Sequence, residues 1–262
     1  MDSTASRPVE LEIDHGVATL AFNRPQAMNT LDVPTATAFR DACRTLAHDS
    51  QVRAVVLKGN GKAFSAGGDL ISLQHDPAST AGKLIEAMHE GVQILTSMNA
   101  PVIASLHGVV AGGSLSLALA CDLAIAAEGT RFNLAYANLA ANCDVGGSWS
   151  LPRIVGLRKA MEIALLSETF DVQQALQLGL VNRVVPADAL ADETQALARR
   201  LANGPTLAYG KMKRLLRQSL DNDFATQLDA ERDGFVASTK TADFKEAVTA
   251  FLGKRPAKFI GG

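Results

Sequence analysis

The sequence is short of several things, and each shortage excludes a class of function. Basic residues are not in excess: 25 Lys and Arg face 27 Asp and Glu, for a net charge of −2. That balance argues against a nucleic-acid protein, which carries a strong basic surplus. No apolar run approaches the ~20 residues that span a bilayer, so no membrane partner is expected. The opening stretch "MDSTASRPVE" lacks the apolar h-region of a secretory signal, and the expectation is a cytoplasmic chain. Cysteines are three, at Cys43, Cys121 and Cys143. The odd count, wide spacing and lack of a CxxC pair signal neither a disulfide framework nor a zinc site. The five histidines, His15, His48, His75, His89 and His107, show no ligand spacing such as HxxxH. No metal is therefore expected.

What the chain does have is apolar content, 47% of 262 residues, enough to bury one large core or a core with a small appendage. "LEIDHGVATLAFNRP" alternates around Asp14-His15-Gly16 and reads as a β-hairpin. Asp32 caps a helix with Pro34 in its first turn, and Ala36, Phe39, Cys43 and Leu46 share one helical face. "VRAVVLKG" and "PVIASLHG" read as buried strands. Residues 81–98 read as an amphipathic helix with Leu84, Ile85, Met88, Val92 and Leu95 inward. "VVAGG" is a tight segment leading into the apolar helix "SLSLALACD", and "LAIAAE" is another strand. From about residue 157 the pattern is helical, with breaks at 178–186 and at Asn203-Gly204-Pro205. Strand and helix alternate first and helices follow, so the class is α/β with a helical C-terminal part. A boundary near Gly204 divides a core of residues 1–203 from a C-terminal region of residues 204–262.

Two glycine loops each follow a strand and open a helix: "FSAGGDL" at 64–70 and "VVAGGSL" at 109–115. A helix N-terminus carries unpaired N–H groups and a partial positive charge, and glycine admits a close-approaching ligand. Two such loops side by side would aim two N–H groups at one developing oxyanion. Read singly, each is more simply a strand-to-helix turn. Neither fits GxxxxGK[ST] or GxGxxG, so a nucleotide-binding loop is not expected.

In order along the chain, "VATLAFNRPQAMNTL", "AVVLKGNGKAFSAGGDL", "PVIASLHGVVAGGSLSLALACDLAIAAE", "GGSWSLPRIVGLRKAMEIALLS", "ALQLGLVNRVV" and "DFKEAVTAFLGKRPAKF" resemble the crotonase superfamily, the enoyl-CoA hydratase/isomerase family. The resemblance implies a spiral of ββα repeats followed by helices that build a homotrimer or a dimer of trimers. It implies an acyl-CoA thioester substrate, with coenzyme A part of that substrate and no separate cofactor. It places the two oxyanion N–H groups on Gly68 and Gly113. It places CoA and substrate contacts at Arg24, Ala27 and Met28, at Lys62, and around the first loop at Ala66, Asp69 and Leu70. Lys254 would reach the CoA of a neighbouring subunit. Taken from the residues alone, each of these charges is equally a solvated surface group.

The resemblance also shows what is missing. Hydratases of the family use two glutamates; their places here hold Ser116 and Tyr136. Neither is a useful base near neutral pH, tyrosine's reference pKa being ~10. Asp144, eight residues beyond Tyr136, falls where isomerases of the family can carry an aspartate, and "CDVGGSWSLPRIVG" resembles the segment of 1,2-epoxyphenylacetyl-CoA isomerases and their enoyl-CoA isomerase relatives. One base suits an isomerase, which takes a proton from one carbon and returns it to another. Burial by Val145, Trp149 and Leu139 would raise the Asp144 pKa and strengthen it as a base. Aspartate is also a preferred helix N-cap, and "DVGGSWSLPR" reads as a helix start. Dehalogenases of the superfamily pair an aspartate nucleophile with a histidine at the place of His89, which keeps covalent catalysis open. An enoyl-CoA hydratase and an inactive CoA-binding protein also stay open. His107 reads as structural.

Overall fold

The computed structural model describes residues 7–262. The first six residues, part of the N-terminal stretch read above, lie outside the described residues. The chain opens with strands β1 (Val9–Asp14) and β2 (Val17–Phe22), antiparallel and joined by His15-Gly16. Both turn residues have positive φ, 47° and 81°, as a two-residue hairpin turn requires. Helix α1 (Val33–His48) starts where Asp32 accepts the Thr35 N–H at 2.8 Å. Its Ala36, Phe39, Cys43 and Leu46 are all buried. Then come β3 (Ala54–Gly59), α2 (Pro77–Ser97), β4 (Val102–Leu106), β5 (Val109–Ala111), α3 (Gly113–Ala120), β6 (Leu123–Ala127) and β7 (Arg131–Asn133). Helices α4 (Gly147–Val155) and α5 (Leu157–Leu166), strand β8 (Phe170–Asp171), helix α6 (Val172–Gln177), strand β9 (Arg183–Val185) and helices α7 (Leu190–Ala202), α8 (Thr206–Gln218), α9 (Phe224–Ser238) and α10 (Ala242–Leu252) complete the chain.

Six strands form one sheet in the order β1-β2-β3-β4-β6-β9, parallel from β2 onward. The central strands read as unbroken apolar runs because both of their faces are covered. A second, small sheet runs β5-β7-β8. The expected ββα order is present as β1-β2-α1, β4-β5-α3 and β6-β7-α4. Between them, β3 is followed by an isolated bridge at Ser65 and then by α2. Helices α1 and α2 pack closely because α2 carries Gly91 against Phe39; a Cβ there would lie 2.4 Å from the ring. On the other side of the sheet, Ala198 and Ala202 of α7 sit on Val17, Ala54, Val56 and Ile103.

Some boundaries differ from the sequence reading. Helix α2 starts at Pro77, not residue 81, because Asp76 accepts the Ser79 N–H at 3.2 Å. "VVAGG" contains strand β5, and the later region contains β8 and β9. These strands have two or three residues, too few to show alternation. Helix α8 is tied to the core by Asp122, which meets Lys213 Nζ at 2.6 Å and Arg217 at 3.0 Å. The last residues fold back: buried Asp243 accepts the N–H groups of Ile260 and Gly261 at 2.7 and 2.8 Å. No helix among the described residues is long and apolar enough to cross a membrane.

Candidate active site

The two glycine loops meet. Leu31 N–H donates to Gly67 O and Asp69 N–H donates to Leu31 O, both at 2.8 Å. In such a strand-like segment successive peptides face opposite ways, so the Gly68 N–H points away from Leu31. In the second loop Gly112, at φ 53°, precedes α3, and Gly113 is the first residue of that helix. Its N–H has no intrahelical partner. Neither Gly68 N–H nor Gly113 N–H finds an acceptor among the described residues. The loops are so close that a Cβ at Gly67 would lie 2.8 Å from Ala111 O.

Side chains lock this pair of loops. Ser65 Oγ donates to Asn29 O at 2.7 Å and lies 2.5 Å from Ser114 Oγ. Since the Ser65 hydrogen is spent on Asn29, Ser114 is the donor in the second bond. Asn29 Nδ2 in turn donates to Ala63 O at 2.8 Å and Phe64 O at 3.2 Å. Asn29, Ser65 and Ser114 are all buried. The sequence reading missed all three; the only available signal was a small polar residue inside an otherwise apolar stretch.

A cavity of about 390 Å³ opens beside the loops. Gly68, Gly113, Tyr136 and Asp144 line it, with Leu70, Leu73, Leu84, Ile85, Leu139 and Val145 as its apolar wall. Asp144 sits directly over the second glycine: a Cβ at Gly113 would lie 3.2 Å from Asp144 Oδ1. The Tyr136 hydroxyl donates to Asp144 Oδ1. Ser116 Oγ lies 3.0 Å from the Tyr136 hydroxyl and donates to it, because the tyrosine hydrogen is already used. Oδ2 of Asp144 receives no side-chain or backbone donor among the described residues. Burial pushes the Asp144 carboxyl above its ordinary value, opposed by the Tyr136 bond. Burial first, and then the Asp144 charge, push the Tyr136 phenol far upward, so it stays a donor.

Asp144 does not cap helix α4. The cap is Gly146 with no side-chain bond, and only the Asp144 backbone oxygen takes part, accepting the Gly147 N–H at 2.9 Å. Nor does Trp149 bury the carboxylate. It is 40% exposed, stacks under the Arg153 guanidinium at 4.1 Å and faces other grooves. Val145 and Leu139 do line the Asp144 cavity. His89, on α2, accepts the Val145 N–H on Nε2 at 3.1 Å. An accepting nitrogen carries no proton, so the neutral ring bears its hydrogen on Nδ1.

Of the residues singled out from sequence, the cavity gathers Ala66, Gly68, Leu70, Gly113, Tyr136 and Asp144. Arg24, Ala27, Met28, Lys62, Asp69, His89 and Lys254 lie off its lining. Arg24 is occupied: its guanidinium pairs with Asp32 and Asp69, each at 3.1 Å, and donates to Thr30 O at 2.7 Å. It braces the first loop. Met28 O accepts the Ala66 N–H at 3.0 Å. Lys62 and Lys254 are exposed. His107 Nε2 lies 3.1 Å from Gly61 O.

The family model described as enoyl-CoA hydratase/isomerase matches residues 12–262. The chain belongs to the enoyl-CoA hydratase/isomerase family. Among its relatives, the 1,2-epoxyphenylacetyl-CoA isomerase of Escherichia coli (strain K12) is 36% identical, over 95% of this chain and 97% of the relative. A probable enoyl-CoA hydratase of Rhodobacter capsulatus is 34% identical, over 97% and 98%. A solved structure, a putative enoyl-CoA hydratase/isomerase from Mycobacterium abscessus, superposes with a TM-score of 0.92 at 34% identity, covering 97% of this chain and all of that one. Relatives in this family carry both isomerase and hydratase names, so membership leaves the reaction to be argued from the site. No group of His, Cys, Asp or Glu among the described residues is placed to hold a metal ion.

Proposed function

We propose that the protein is an acyl-CoA isomerase that moves a double bond through an enolate held in an oxyanion hole. The observation that carries this reading is Asp144. It is the one carboxylate on the cavity, it lies over Gly113, and its Oδ2 is unoccupied; the resemblance assigns the hydratase glutamate positions to Ser116 and Tyr136, neither a carboxylate. In this reading the thioester oxygen of a 3-enoyl-CoA takes the N–H groups of Gly68 and Gly113. Asp144 Oδ2 removes a proton from the carbon next to the thioester carbonyl. The electron pair spreads over a dienolate, whose oxyanion the two N–H groups stabilise. The protonated Asp144 then returns the proton at the far end of the dienolate, giving the 2-enoyl-CoA and a free carboxylate. An acyl group carrying a strained ring would be isomerised through the same enolate.

CoA itself would lie along residues 24–28 and near Lys62, with Lys254 of a neighbouring subunit completing the site in a homotrimer or dimer of trimers. The free position of Lys254, away from its own chain's cavity, supports that assignment. Residues 204–262 would supply the assembly surface. An aspartate-nucleophile mechanism asks His89 to activate a water, and its Nε2 is engaged by Val145 instead.

The test is an assay with 3-enoyl-CoA, 2-enoyl-CoA and 4-chlorobenzoyl-CoA, with Asp144→Asn as control. Double-bond migration without hydration is expected, and Asp144→Asn should lose about 10²–10⁴-fold in kcat, the usual worth of a positioned acid–base group. A fully active Asn variant would sink the reading. Halide release would point to the nucleophilic mechanism, and CoA binding without turnover to a binding protein.

A further inference from the structure

Val145 adopts a backbone conformation that its side chain disfavours. Its φ is 51°, in a region where a β-branched residue is an outlier. Such strain persists only where the surroundings over-determine it, and it gathers at functional sites. The following residue, Gly146 at φ 79°, reaches the same region freely. Val145 has two restraints. Its side chain is buried in the core, and its N–H donates to His89 Nε2 at 3.1 Å. That N–H belongs to the peptide unit joining Asp144 to Val145. Fixing it fixes the plane of the Asp144 carbonyl, and through that plane the direction in which the Asp144 side chain leaves the backbone.

The same peptide is held from the other side: the Asp144 oxygen accepts the Gly147 N–H at 2.9 Å. At the carboxylate, Tyr136 takes Oδ1. Three contacts from three elements thus leave Asp144 Oδ2 one direction in which to point. His89 stands on α2, one turn after Ile85, which lines the cavity wall. The helix that shapes the acyl wall therefore also holds the base.

We propose that His89 is a positioning residue for Asp144, its Nε2 holding the Asp144–Val145 peptide so that Oδ2 faces the substrate carbon. This rests on the reading of Asp144 as the base. It assigns His89 no proton and no bond to substrate. A positioning role needs only an acceptor at the reach of Nε2, whereas a proton-transfer role needs a titratable ring. The two roles separate on substitution.

The experiment compares wild type, His89→Gln, His89→Leu and Asp144→Asn on the 3-enoyl-CoA that wild type turns over. It also measures Kd for the corresponding saturated acyl-CoA. Glutamine offers an acceptor oxygen at similar reach and does not titrate; leucine offers none. His89 is exposed, so neither change empties the core. His89→Leu should lose about 10–100-fold in kcat, the scale set by a misplacement near 1 Å. Its Kd should stay within about twofold of wild type, and His89→Gln should keep kcat within about threefold, since both retain the site's own contacts. A His89→Leu variant at the wild-type rate, beside an inactive Asp144→Asn, would overturn the positioning role alone. Glutamine as damaging as leucine would overturn it in favour of proton transfer. An active Asp144→Asn would remove the base, and with it the role of His89.

Discussion

Tyr136, which the resemblance sets at a hydratase glutamate position, adjusts through its hydrogen bond the carboxylate proposed as the base. The bond to Asp144 Oδ1 favours the charged carboxylate, against the burial that raises its pKa. Removing the hydroxyl leaves burial less opposed. Tyr136→Phe should therefore move the acidic limb of kcat/KM to higher pH. A pH–rate profile of the two enzymes checks this, and a limb displaced to lower pH would contradict it. The same raised pKa has a consequence for stability. The folded protein resists ionising Asp144 more than the unfolded chain does, so stability falls as pH rises from the ordinary aspartate value of ~3.9 through the raised one. Above the raised value the full cost is present. Asp144→Asn should thus melt at a higher temperature than wild type near pH 7, with the gain vanishing near pH 3. Thermal melts at the two pH values read it directly. Asp144 itself was legible in the sequence as the remaining carboxylate. Its freedom from capping was not, because Gly146 takes the cap only once Val145 and Gly146 have turned left-handed. Trp149 was misread for a related reason: proximity in sequence does not say which side of α4 a ring takes.

The proposed oxyanion hole depends on two loops held together. Ser65 and Ser114 are buried and bonded to each other across them. Ser65→Ala leaves the Ser114 hydroxyl short of its partner, at a cost of about 1–3 kcal/mol. The double variant Ser65→Ala/Ser114→Ala should cost less than the two single changes added, because the second change removes the orphaned group. Denaturant unfolding of the four proteins measures this, and strict additivity would contradict it. The two glycines also differ in what they tolerate. A Cβ at Gly68 meets nothing within 4 Å, while one at Gly113 meets Asp144, Val145 and Tyr136 at 3.2, 3.5 and 3.7 Å. Gly113→Ala should lose about 10–100-fold in kcat by displacing the base, and Gly68→Ala much less; equal losses would contradict the placement. The start and the buried face of helix α1 were readable because its cap, its proline and its apolar period all fall on one stretch. The start of α2 was hidden in a polar run. The Asn29 hub was hidden because the carbonyls its Nδ2 reaches lie more than 30 positions away in sequence.

At the scale of the molecule, the three C-terminal helices leave several large apolar side chains in solvent. Leu216 and Leu220 of the α8 end, Phe224 and Phe235 of α9, and Phe251 and Leu252 of α10 are all exposed. These are the helices that the resemblance assigns to assembly, and no core position in the chain itself accounts for them. Light scattering should give a mass three or six times the 27.6 kDa chain. Phe251 is 83% exposed, so Phe251→Asp costs the folded chain little yet would bury an unpaired charge in an interface. It should shift the mass toward one chain. Lys254, two residues beyond α10 and exposed, then distinguishes assembly for stability from assembly for catalysis. If it reaches a neighbour's CoA, Lys254→Ala should raise KM by about 3–10-fold at unchanged kcat, the pattern of a lost contact made equally in ground and transition states. In the Phe251→Asp background the same substitution should have no further effect, because the neighbour it serves is gone. A KM increase that persists in single chains would place the Lys254 contact within its own subunit. Unchanged KM in the assembled enzyme would leave that lysine a solvated charge.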